Sequence, residues 1–307
     1  MTRSSRSKLS LITAFSFAGL TQLIGSDPVP AAATWNLWPE SPPQYLDGAP
    51  PETCDDRGSI RGVTVPAITI YPADATARNG ITIILCAGGG YGALDWKTHV
   101  EYSAAVFNPL GVTIVGLKYR LRPPHRLDNS GIQALTLLDA KRALRLVRHR
   151  AGELGVDPTR IGIAGFSAGA NLAMNLAANF DEGDPDSPDP VERESSRPDF
   201  AVGLATWHWR EKTSPFSFRP ESPPVFLVHA TNDGMPDSAG RIGGAPIDLP
   251  RAIARDLETI GVPVRLLEFE EGAHGVGNLI PQRVKNSFPP ARWPWLLLDW
   301  LDKIPKP

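Results

Sequence analysis

Residues 160–171 have the sequence RIGIAGFSAGAN. Residues 160–164 are mostly apolar and predict a short buried strand, and residues 171–180 have the pattern of a helix. Between them lies Ser167, the centre of a G-x-S-x-G motif whose glycines leave room for a sharp, strained turn. Such a turn points the serine hydroxyl away from the sheet, where other side chains can reach it. The stretch therefore predicts a nucleophile, and an inert serine in a glycine-rich turn is the alternative.

Apolar runs with strand character alternate with helical patterns along the rest of the chain. Strands are predicted at residues 60–65, 67–71, 81–86, 112–117, 200–206, 225–230 and 264–269, and helices at residues 96–107, 131–154, 252–260 and 293–301. This alternation predicts an α/β fold with a mostly parallel, doubly wound sheet of about eight strands and helices on both faces. Basic residues lie between the leucines of the helix at 131–154, so we expect that helix on the surface.

The first 33 residues have the layout of a secretory signal peptide. Three basic residues precede a mostly apolar stretch at residues 9–24, and alanines at 31–33 offer a cleavage site. Polar residues within the apolar stretch make it a poor membrane span, although a retained N-terminal anchor is the alternative. We expect residues 1–33 to be a signal peptide and residues 34–307 to be one catalytic domain. The protein would be exported to the periplasm or the extracellular space, with no stable membrane insertion after the leader is removed.

The composition is that of an ordinary globular protein, with 42% hydrophobic and 21% charged residues. A formal net charge of −2 argues against a nucleic-acid partner or an anionic membrane surface. Cys86 ends an apolar strand and is expected to be a buried free thiol, and Cys54 lies in a polar loop; a bridge between them is possible. The acidic, proline-rich segment 181–198 lacks metal-binding spacing and is predicted to be a solvated loop.

A serine hydroxyl needs a base within hydrogen-bond reach to act as a nucleophile. Asp233 and His274 each come directly after a predicted strand. In enzymes that carry a G-x-S-x-G serine on an α/β sheet, the acid and then the base follow the serine in the chain, and these two residues have that order. We expect Ser167 to attack an acyl carbon, His274 to take its proton, and Asp233 to orient the imidazole. Asp233 could be a plain turn residue, in which case Asp237 is the nearest substitute. The other histidines fit the role of the base less well: His99, His125, His149, His208 and His229.

A glycine-rich loop, CAGGGY at residues 86–91, directly follows another predicted strand. Its backbone N–H groups could approach a developing oxyanion closely, because no side chains intervene. We expect the oxyanion hole to be formed by the N–H of Gly89 or Gly90, between which the sequence does not choose, together with the N–H of Ala168. A phosphate-binding loop is disfavoured because no Lys-Ser or Lys-Thr pair follows the glycines.

Seven motifs, taken together, resemble a known family. They are CAGGGY at 86–91, LKYR at 117–120, DAKRALRLVR at 139–148, GVDPTRIGIAGFSAG at 155–169, RPDFA at 197–201, SPPVFLVHA at 222–230 and GAHGVG at 272–277. The set resembles the α/β-hydrolase esterases, and more narrowly the bacterial acetylesterase and lipase-like group that includes acetylxylan and feruloyl esterases. Members are also labelled prolyl-oligopeptidase-type hydrolases. The resemblance implies a serine carboxylesterase that needs no metal and no cofactor.

The chain departs from the family pattern near the predicted site. Ala87 stands where members usually have proline, and residues 207–210 read WHWR where members have an aromatic-Pro pair. We expect a fairly open site lined by Tyr91, Trp207 and Trp209, whose rings could stack on sugars or aromatic acyl groups, unless they belong to the core. The expected partner is a small-molecule or carbohydrate ester. The alternative functions are a serine exopeptidase of the prolyl-oligopeptidase type and a non-catalytic hydrolase-like binding protein.

Overall fold

The computed structural model of the protein describes residues 30–44, 50–123, 127–209, 213–236, 240 and 243–304. The predicted leader lies almost wholly outside these residues, since only its last four positions, 30–33, are described. Within the described part of the chain, no helix combines the length and the apolar character that crossing a membrane requires. Cys54 is exposed, Cys86 is buried, and both are free thiols, so the bridge between them does not form.

The described residues fold into short strands and helices. The strands are β1 (Ala33–Asn36), β2 (Thr53–Cys54), β3 (Ser59–Arg61), β4 (Ala67–Tyr71), β5 (Thr82–Cys86), β6 (Leu94–Asp95), β7 (Thr113–Lys118), β8 (Ile161–Phe166), β9 (Ala201–Leu204), β10 (Val225–Ala230) and β11 (Val264–Phe269). The α-helices are α1 (Tyr102–Phe107), α2 (Asn129–His149), α3 (Ala151–Leu154), α4 (Ala168–Asn179), α5 (Asp248–Thr259), α6 (Pro281–Lys285) and α7 (Trp293–Leu301). A π-helical turn at Lys97–Glu101 leads into α1.

Eight of the described strands form one sheet in the order β1-β4-β7-β5-β8-β9-β10-β11. β4 is antiparallel to its neighbours β1 and β7, whereas every pair from β7 to β11 is parallel. The predicted mostly parallel sheet of about eight strands is therefore confirmed. The strands β5, β8 and β10 are buried along their whole length, which accounts for their continuous apolar sequences.

Helices cover both faces of this sheet. Gly116 of β7 and Ala164 of β8 both pair with Leu85 of β5. Residues that lie side by side in a sheet point to the same face, so the Cα–Cβ directions at Gly116 and Ala164 define one face of the sheet. Trp96, just before the helical segment that ends in α1, packs over Gly116 on that face. Gly165, the next residue along β8, points to the opposite face, where it meets Gly169 of α4. The sheet is thus doubly wound, as the sequence predicted.

Helix α2 is not the surface helix that the sequence predicted. Its residues Arg142 and Arg145 are only 3% and 9% exposed. Arg142 Nη1 lies 2.6 Å from Asp189 Oδ2 and 2.8 Å from Glu192 Oε1, and Arg145 pairs with Glu192 and Asp181. Segment 181–198 is therefore attached to α2 through its acidic side chains, while many of its residues, 184–186 among them, are exposed as the sequence predicted. A buried guanidinium group needs such partners, because an unpaired charge away from water is costly.

The first described residues add an edge strand to the sheet. Ala32 N–H donates a hydrogen bond of 2.9 Å to the carbonyl oxygen of Ile70, and Ala33 lies opposite Ile70 in the β1–β4 pair. The predicted cleavage point after residue 33 therefore lies inside β1.

A buried arginine holds the chain that follows β1. Arg120, after β7, has no exposed surface and forms a salt bridge of 2.6 Å with Asp139 of α2. Its Nη1 also donates to the carbonyl oxygens of Pro43 and Gln44. The Arg120 guanidinium group thus connects the end of β7 to helix α2 and to the segment that follows β1.

Candidate active site

The turn between β8 and α4 places Ser167 at the carboxyl edge of the sheet. Ser167 has φ 54° and ψ −116°, a conformation that is strained for any residue with a side chain. A Cβ atom on Gly165 would lie 2.1 Å from the Gly169 carbonyl oxygen, and a Cβ atom on Gly169 would lie 2.1 Å from the Cys86 carbonyl oxygen. Close backbone contact therefore requires both glycines. The predicted strand, turn and helix are confirmed.

Three side chains that are far apart in the sequence meet at this edge. Ser167 Oγ lies 2.7 Å from His274 Nε2, and His274 Nδ1 lies 2.9 Å from Asp233 Oδ2. Asp233 follows β10 and His274 follows β11, and the carboxyl ends of these strands lie along the same edge as the end of β8. The structure thus brings together the serine, imidazole and carboxylate that the sequence singled out, with the contacts that proton transfer from a serine requires.

The carboxylate of Asp233 is enclosed, whereas the imidazole of His274 is open to solvent. Their side chains are 1% and 36% exposed. Asp233 Oδ1 accepts a hydrogen bond of 3.2 Å from Ala245 N–H, and His229 Nε2 lies 3.4 Å from Asp233 Oδ2. Burial lowers the pKa of His229. The alternative acid, Asp237, lies outside the described residues, and the contact with His274 is made by Asp233.

Residues 243–246 cover the Asp233–His274 contact, a role that no motif predicts. Gly244 has φ 77°, and a Cβ atom at this position would lie 1.8 Å from Asp233 Oδ1 and 2.8 Å from His274 Nδ1. A side chain there would collide with both groups. In the sequence this stretch reads GGAP, which is typical of any loop, so its role follows from the structure alone.

The glycine-rich loop after β5 lies directly beside Ser167. A Cβ atom on Gly88 would be 3.1 Å from Ser167 Cβ. The Gly88 N–H donates to His99 Nδ1 at 3.0 Å. By contrast, the N–H groups of Gly89, Gly90 and Ala168 find no acceptor among the described residues. The three N–H groups expected from the sequence are therefore available to a ligand, and the loop that carries two of them contacts Ser167 at Gly88.

The aromatic residues predicted to line the site have different positions. Tyr91 is fully buried, its ring stacks on Trp209 with centroids 6.2 Å apart, and its hydroxyl donates to Asn171 Oδ1 at 2.7 Å. The prediction that Tyr91 lines an open site is wrong, because this side chain belongs to the core. Trp207 and Trp209 are partly buried, and Trp207 N–H donates to the Ser167 carbonyl oxygen at 3.4 Å. The backbone of Trp207 therefore contacts Ser167, and the side chains of both tryptophans keep part of their surface open.

Comparison with known proteins identifies the fold family. A family model described as the alpha/beta hydrolase fold matches residues 83–215, which include the glycine-rich loop and Ser167. The acetyl ester-xyloside bifunctional hydrolase from Caldicellulosiruptor lactoaceticus superimposes with a TM-score of 0.67, at 27% identity, over 89% of this chain and 97% of that chain. The chain has the α/β-hydrolase fold. Esterase 2 of Thermogutta terrifontis shares the fold, with a TM-score of 0.58 at 22% identity over 85% of this chain and 93% of that chain.

Curated relatives match this chain over a shorter stretch. This chain is 33% identical to carboxylesterase NlhH of Mycobacterium tuberculosis over an aligned stretch of 116 residues. The aligned stretch covers 38% of this chain and 34% of that protein. The chain is 34% identical over 100 residues to an acetylxylan esterase of Xylanibacter ruminicola, which covers 32% of this chain and 19% of that protein. The match thus spans about a third or less of the length of these relatives.

One residue beside the candidate site was not predicted to belong to it. His99 is 9% exposed, and its ring stacks on Phe166 with centroids 4.2 Å apart and planes 13° apart. Burial lowers the pKa of His99 to about 4. The ring is therefore neutral near pH 7, as its acceptance of the Gly88 N–H requires. His99 precedes Ser167 in the chain, so the rule that the acid and the base follow the serine does not point to it.

Proposed function

We propose that this protein is a serine carboxylesterase that hydrolyses acyl esters, acetyl esters in particular, through an acyl-enzyme intermediate. The observation that carries the proposal is the contact of Ser167 Oγ with His274 Nε2 at 2.7 Å, while Asp233 holds the other ring nitrogen. Similarity to proteins named carboxylesterase and acetylxylan esterase supports an ester substrate.

In the proposed reaction, Ser167 Oγ attacks the acyl carbon while His274 Nε2 takes the hydroxyl proton. Asp233 accepts a hydrogen bond from His274 Nδ1, which keeps Nε2 free to receive that proton and stabilises the imidazolium. His274 then gives the proton to the leaving alcohol, and the acyl group remains on Ser167 as an ester. A water molecule, deprotonated by His274, attacks this ester and regenerates the serine.

The developing oxyanion would be stabilised by backbone N–H groups. The N–H of Gly89 or Gly90 and the N–H of Ala168 are the proposed donors, because they find no acceptor among the described residues, Ala168 directly follows Ser167, and Gly88 of the same loop lies beside Ser167. One donor of this kind typically lowers the barrier by about 3 kcal/mol. Ala168 is also the first residue of α4, so the positive end of that helix adds to the stabilisation of negative charge.

The proposed substrate is an acylated carbohydrate or another small ester. His274 is partly open to solvent, and Trp207 and Trp209, whose ring centroids lie 5.1 Å apart, are only partly buried; the Trp207 N–H contacts the Ser167 carbonyl oxygen. Aromatic surfaces of this kind stack well on sugar rings. The names of an acetylxylan esterase and of an acetyl ester-xyloside hydrolase among the similar proteins support this class of substrate.

We further propose that the protein is exported, because residues 1–33 have the layout of a signal peptide. Expression of the full chain in a bacterial host, followed by cell fractionation and N-terminal sequencing, tests this. We expect activity outside the cytoplasm and a processed N-terminus near residue 33. A full-length product confined to the cytoplasm would contradict export but not esterase activity.

The activity is tested with the purified protein and its Ser167→Ala variant on p-nitrophenyl acetate, acetylated xylan and alanine p-nitroanilide. We expect turnover of both esters, reduced roughly 10⁴-fold or more in Ser167→Ala. Ser130→Ala, an exposed serine at the start of α2, is the matched control and should leave turnover unchanged.

Two outcomes would overturn the proposal. Turnover of the anilide without turnover of either ester would favour the serine exopeptidase. Absence of turnover together with absence of fluorophosphonate labelling at Ser167 would favour a non-catalytic binding protein.

A further inference from the structure

His99 contacts both backbone segments from which the proposed esterase builds its site. Its Nδ1 accepts a hydrogen bond of 3.0 Å from Gly88 N–H, the first N–H group of the three-glycine loop. Its ring stacks on Phe166, the residue before Ser167, with a centroid distance of 4.2 Å. A Cβ atom on Gly88 would lie 3.2 Å from His99 Cε1, so the ring and the loop are in close contact. The imidazole thus lies between the loop and the strand that carries the nucleophile.

The three-glycine loop is held through both its carbonyl groups and its N–H groups. Glycine loses more conformational freedom on folding than any other residue, and here it carries no side chain that could pack. The loop carbonyls are held from one side, since Asp95 N–H donates to Gly88 O and the N–H groups of Gly92 and Ala93 donate to Gly89 O. The N–H side of the loop is held by His99.

The hydrogen bond also determines the protonation state of the ring. Since Gly88 N–H donates to Nδ1, that nitrogen carries no proton, and the neutral ring carries its proton on Nε2. Asp95 Oδ2 lies 4.0 Å from Nε2. The lowered pKa of the buried ring agrees with this neutral form.

We propose that His99 is a positioning residue for the glycine-rich loop, with Nδ1 as a fixed acceptor for Gly88 N–H and the ring as a spacer against Phe166. The inference rests on the proposed ester hydrolysis. With its N–H directed to His99, Gly88 is not an oxyanion donor, and this leaves Gly89 and Gly90 to serve that purpose. His99 touches no reacting atom, and its effect on the reaction passes through the loop.

Two variants of similar shape separate the acceptor from the packing of the ring. His99→Asn can place an oxygen near the position of Nδ1, whereas His99→Leu has no acceptor. For p-nitrophenyl acetate we expect His99→Leu to lower kcat on the order of 10- to 100-fold, with KM changed by less than about twofold. His99→Asn should stay within about threefold of the wild-type kcat. His99→Gln cannot reach the Nδ1 position, so it should behave like His99→Leu, and it serves as the second test if the leucine variant does not fold.

A second measurement does not depend on activity. The ¹⁵N spectrum of the histidine-labelled protein at pH 7 should contain the signals of a ring with an unprotonated Nδ1 and a protonated Nε2 that are lost in His99→Asn, while the signals of the other rings, His229 among them, remain. In addition, amide exchange at Gly88 should be slow in the wild type and fast in His99→Leu and His99→Gln.

The outcomes distinguish this inference from the proposed function. Wild-type kcat in both His99→Leu and His99→Gln, equal losses in His99→Asn and His99→Leu, or a proton on Nδ1 would each overturn the positioning role. If the wild-type protein hydrolyses no ester, the proposed function fails, and an unprotonated Nδ1 with a protected Gly88 amide would still support the contact that holds the loop.

Discussion

At the scale of single residues, Gly244 has the tightest surroundings of any residue in contact with the proposed catalytic groups. A Cβ atom would lie 1.8 Å from Asp233 Oδ1 and 2.8 Å from His274 Nδ1, and φ is 77°. Gly244→Ala must therefore displace the carboxylate, the imidazole or the loop that carries the glycine. We expect kcat for ester hydrolysis to fall about 100-fold, since small displacements of reacting groups have effects of this size. Steady-state kinetics, with circular dichroism as a check on folding, measure this.

The neighbouring Gly243 provides the control, because a Cβ atom there would meet no heavy atom within 4 Å. Gly243→Ala should retain wild-type kcat. Equal activities for the two alanine variants would show that the Asp233–His274 contact does not depend on the space at Gly244.

His99 also makes a prediction about stability. Its pKa is lowered from an ordinary value of 6.5 to about 4 by burial, with Asp95 and His274 as the charged or titratable groups that act on it. Between these two pH values the unfolded chain binds a proton that the native chain does not. The free energy of unfolding therefore falls as the pH is lowered from 6.5 towards 4, with a slope from this residue that approaches about 1.4 kcal/mol per pH unit.

Urea denaturation across this pH range measures the effect. We expect the wild-type protein to lose more stability on acidification than His99→Asn, which lacks the titrating ring. The buried His229 acts in the same direction but is present in both proteins, so it cancels in the difference. Parallel curves for the two proteins would contradict a lowered pKa of His99.

At the scale of elements, helix α4, which follows Ser167, packs directly against the backbone at the end of β5. A Cβ atom on Gly169 would lie 2.1 Å from the Cys86 carbonyl oxygen, and backbone atoms cannot move away as a flexible side chain can. We expect Gly169→Ala to lower the free energy of unfolding by roughly 3 kcal/mol, as overpacking in a core does. Thermal and urea unfolding measure the change.

Gly152 in α3 is the matched control. A Cβ atom there would meet nothing within 4 Å, and the residue is exposed. Gly152→Ala should stabilise the protein by up to about 1 kcal/mol, because alanine favours a helix more than glycine does. A Gly169→Ala variant as stable as Gly152→Ala would mean that α4 can shift without cost.

The elements that the sequence predicted best are those whose signal is local. Val225–Ala230, Val264–Phe269 and Trp293–Leu301 have the predicted bounds, because each is a continuous apolar or helical pattern with clear flanks. The strand predicted at 60–65 ends at Arg61, before Gly62, whose φ is 69°. The positions of Ser167, Asp233 and His274 followed from a motif and from strand ends, which the chain itself displays.

At the scale of the whole molecule, the Arg120–Asp139 pair joins parts of the protein that are distant in sequence. Both side chains are 0% exposed, and the guanidinium also holds the carbonyls of Pro43 and Gln44. Asp139→Asn leaves a buried charge without its counter-ion. We expect this variant to lose about 3–5 kcal/mol of unfolding free energy. Replacing both partners, as in Arg120→Met with Asp139→Leu, should cost less than Asp139→Asn alone.

The exposed pair of Arg150 and Glu153 is the control for this measurement. Glu153→Gln should change the unfolding free energy by less than about 1 kcal/mol, because water screens an exposed pair. A similar loss in Asp139→Asn and Glu153→Gln would contradict the importance of burial.

Features that the sequence could not predict depend on contacts between distant segments. Arg142 appeared as a surface charge because its partner Glu192 lies 50 positions further along the chain. Tyr91 appeared next to the site by sequence, but its ring turns inward onto Trp209. His99 and Gly244 carry no motif of their own. Their surroundings arise only when the loops after different strands come together at one edge of the sheet.

The pairing of β1 with β4 has a consequence for limited proteolysis. Strand β1 is only four residues long, and Thr34 Oγ1 lies 3.2 Å from Thr69 Oγ1 across the pair. A protease that cuts behind Asn36 and releases β1 would leave a row of backbone donors and acceptors on β4 without partners. Strands bared in this way recruit strands from other molecules. Trimming of the chain at this point would therefore promote aggregation while every group around Ser167 stays intact.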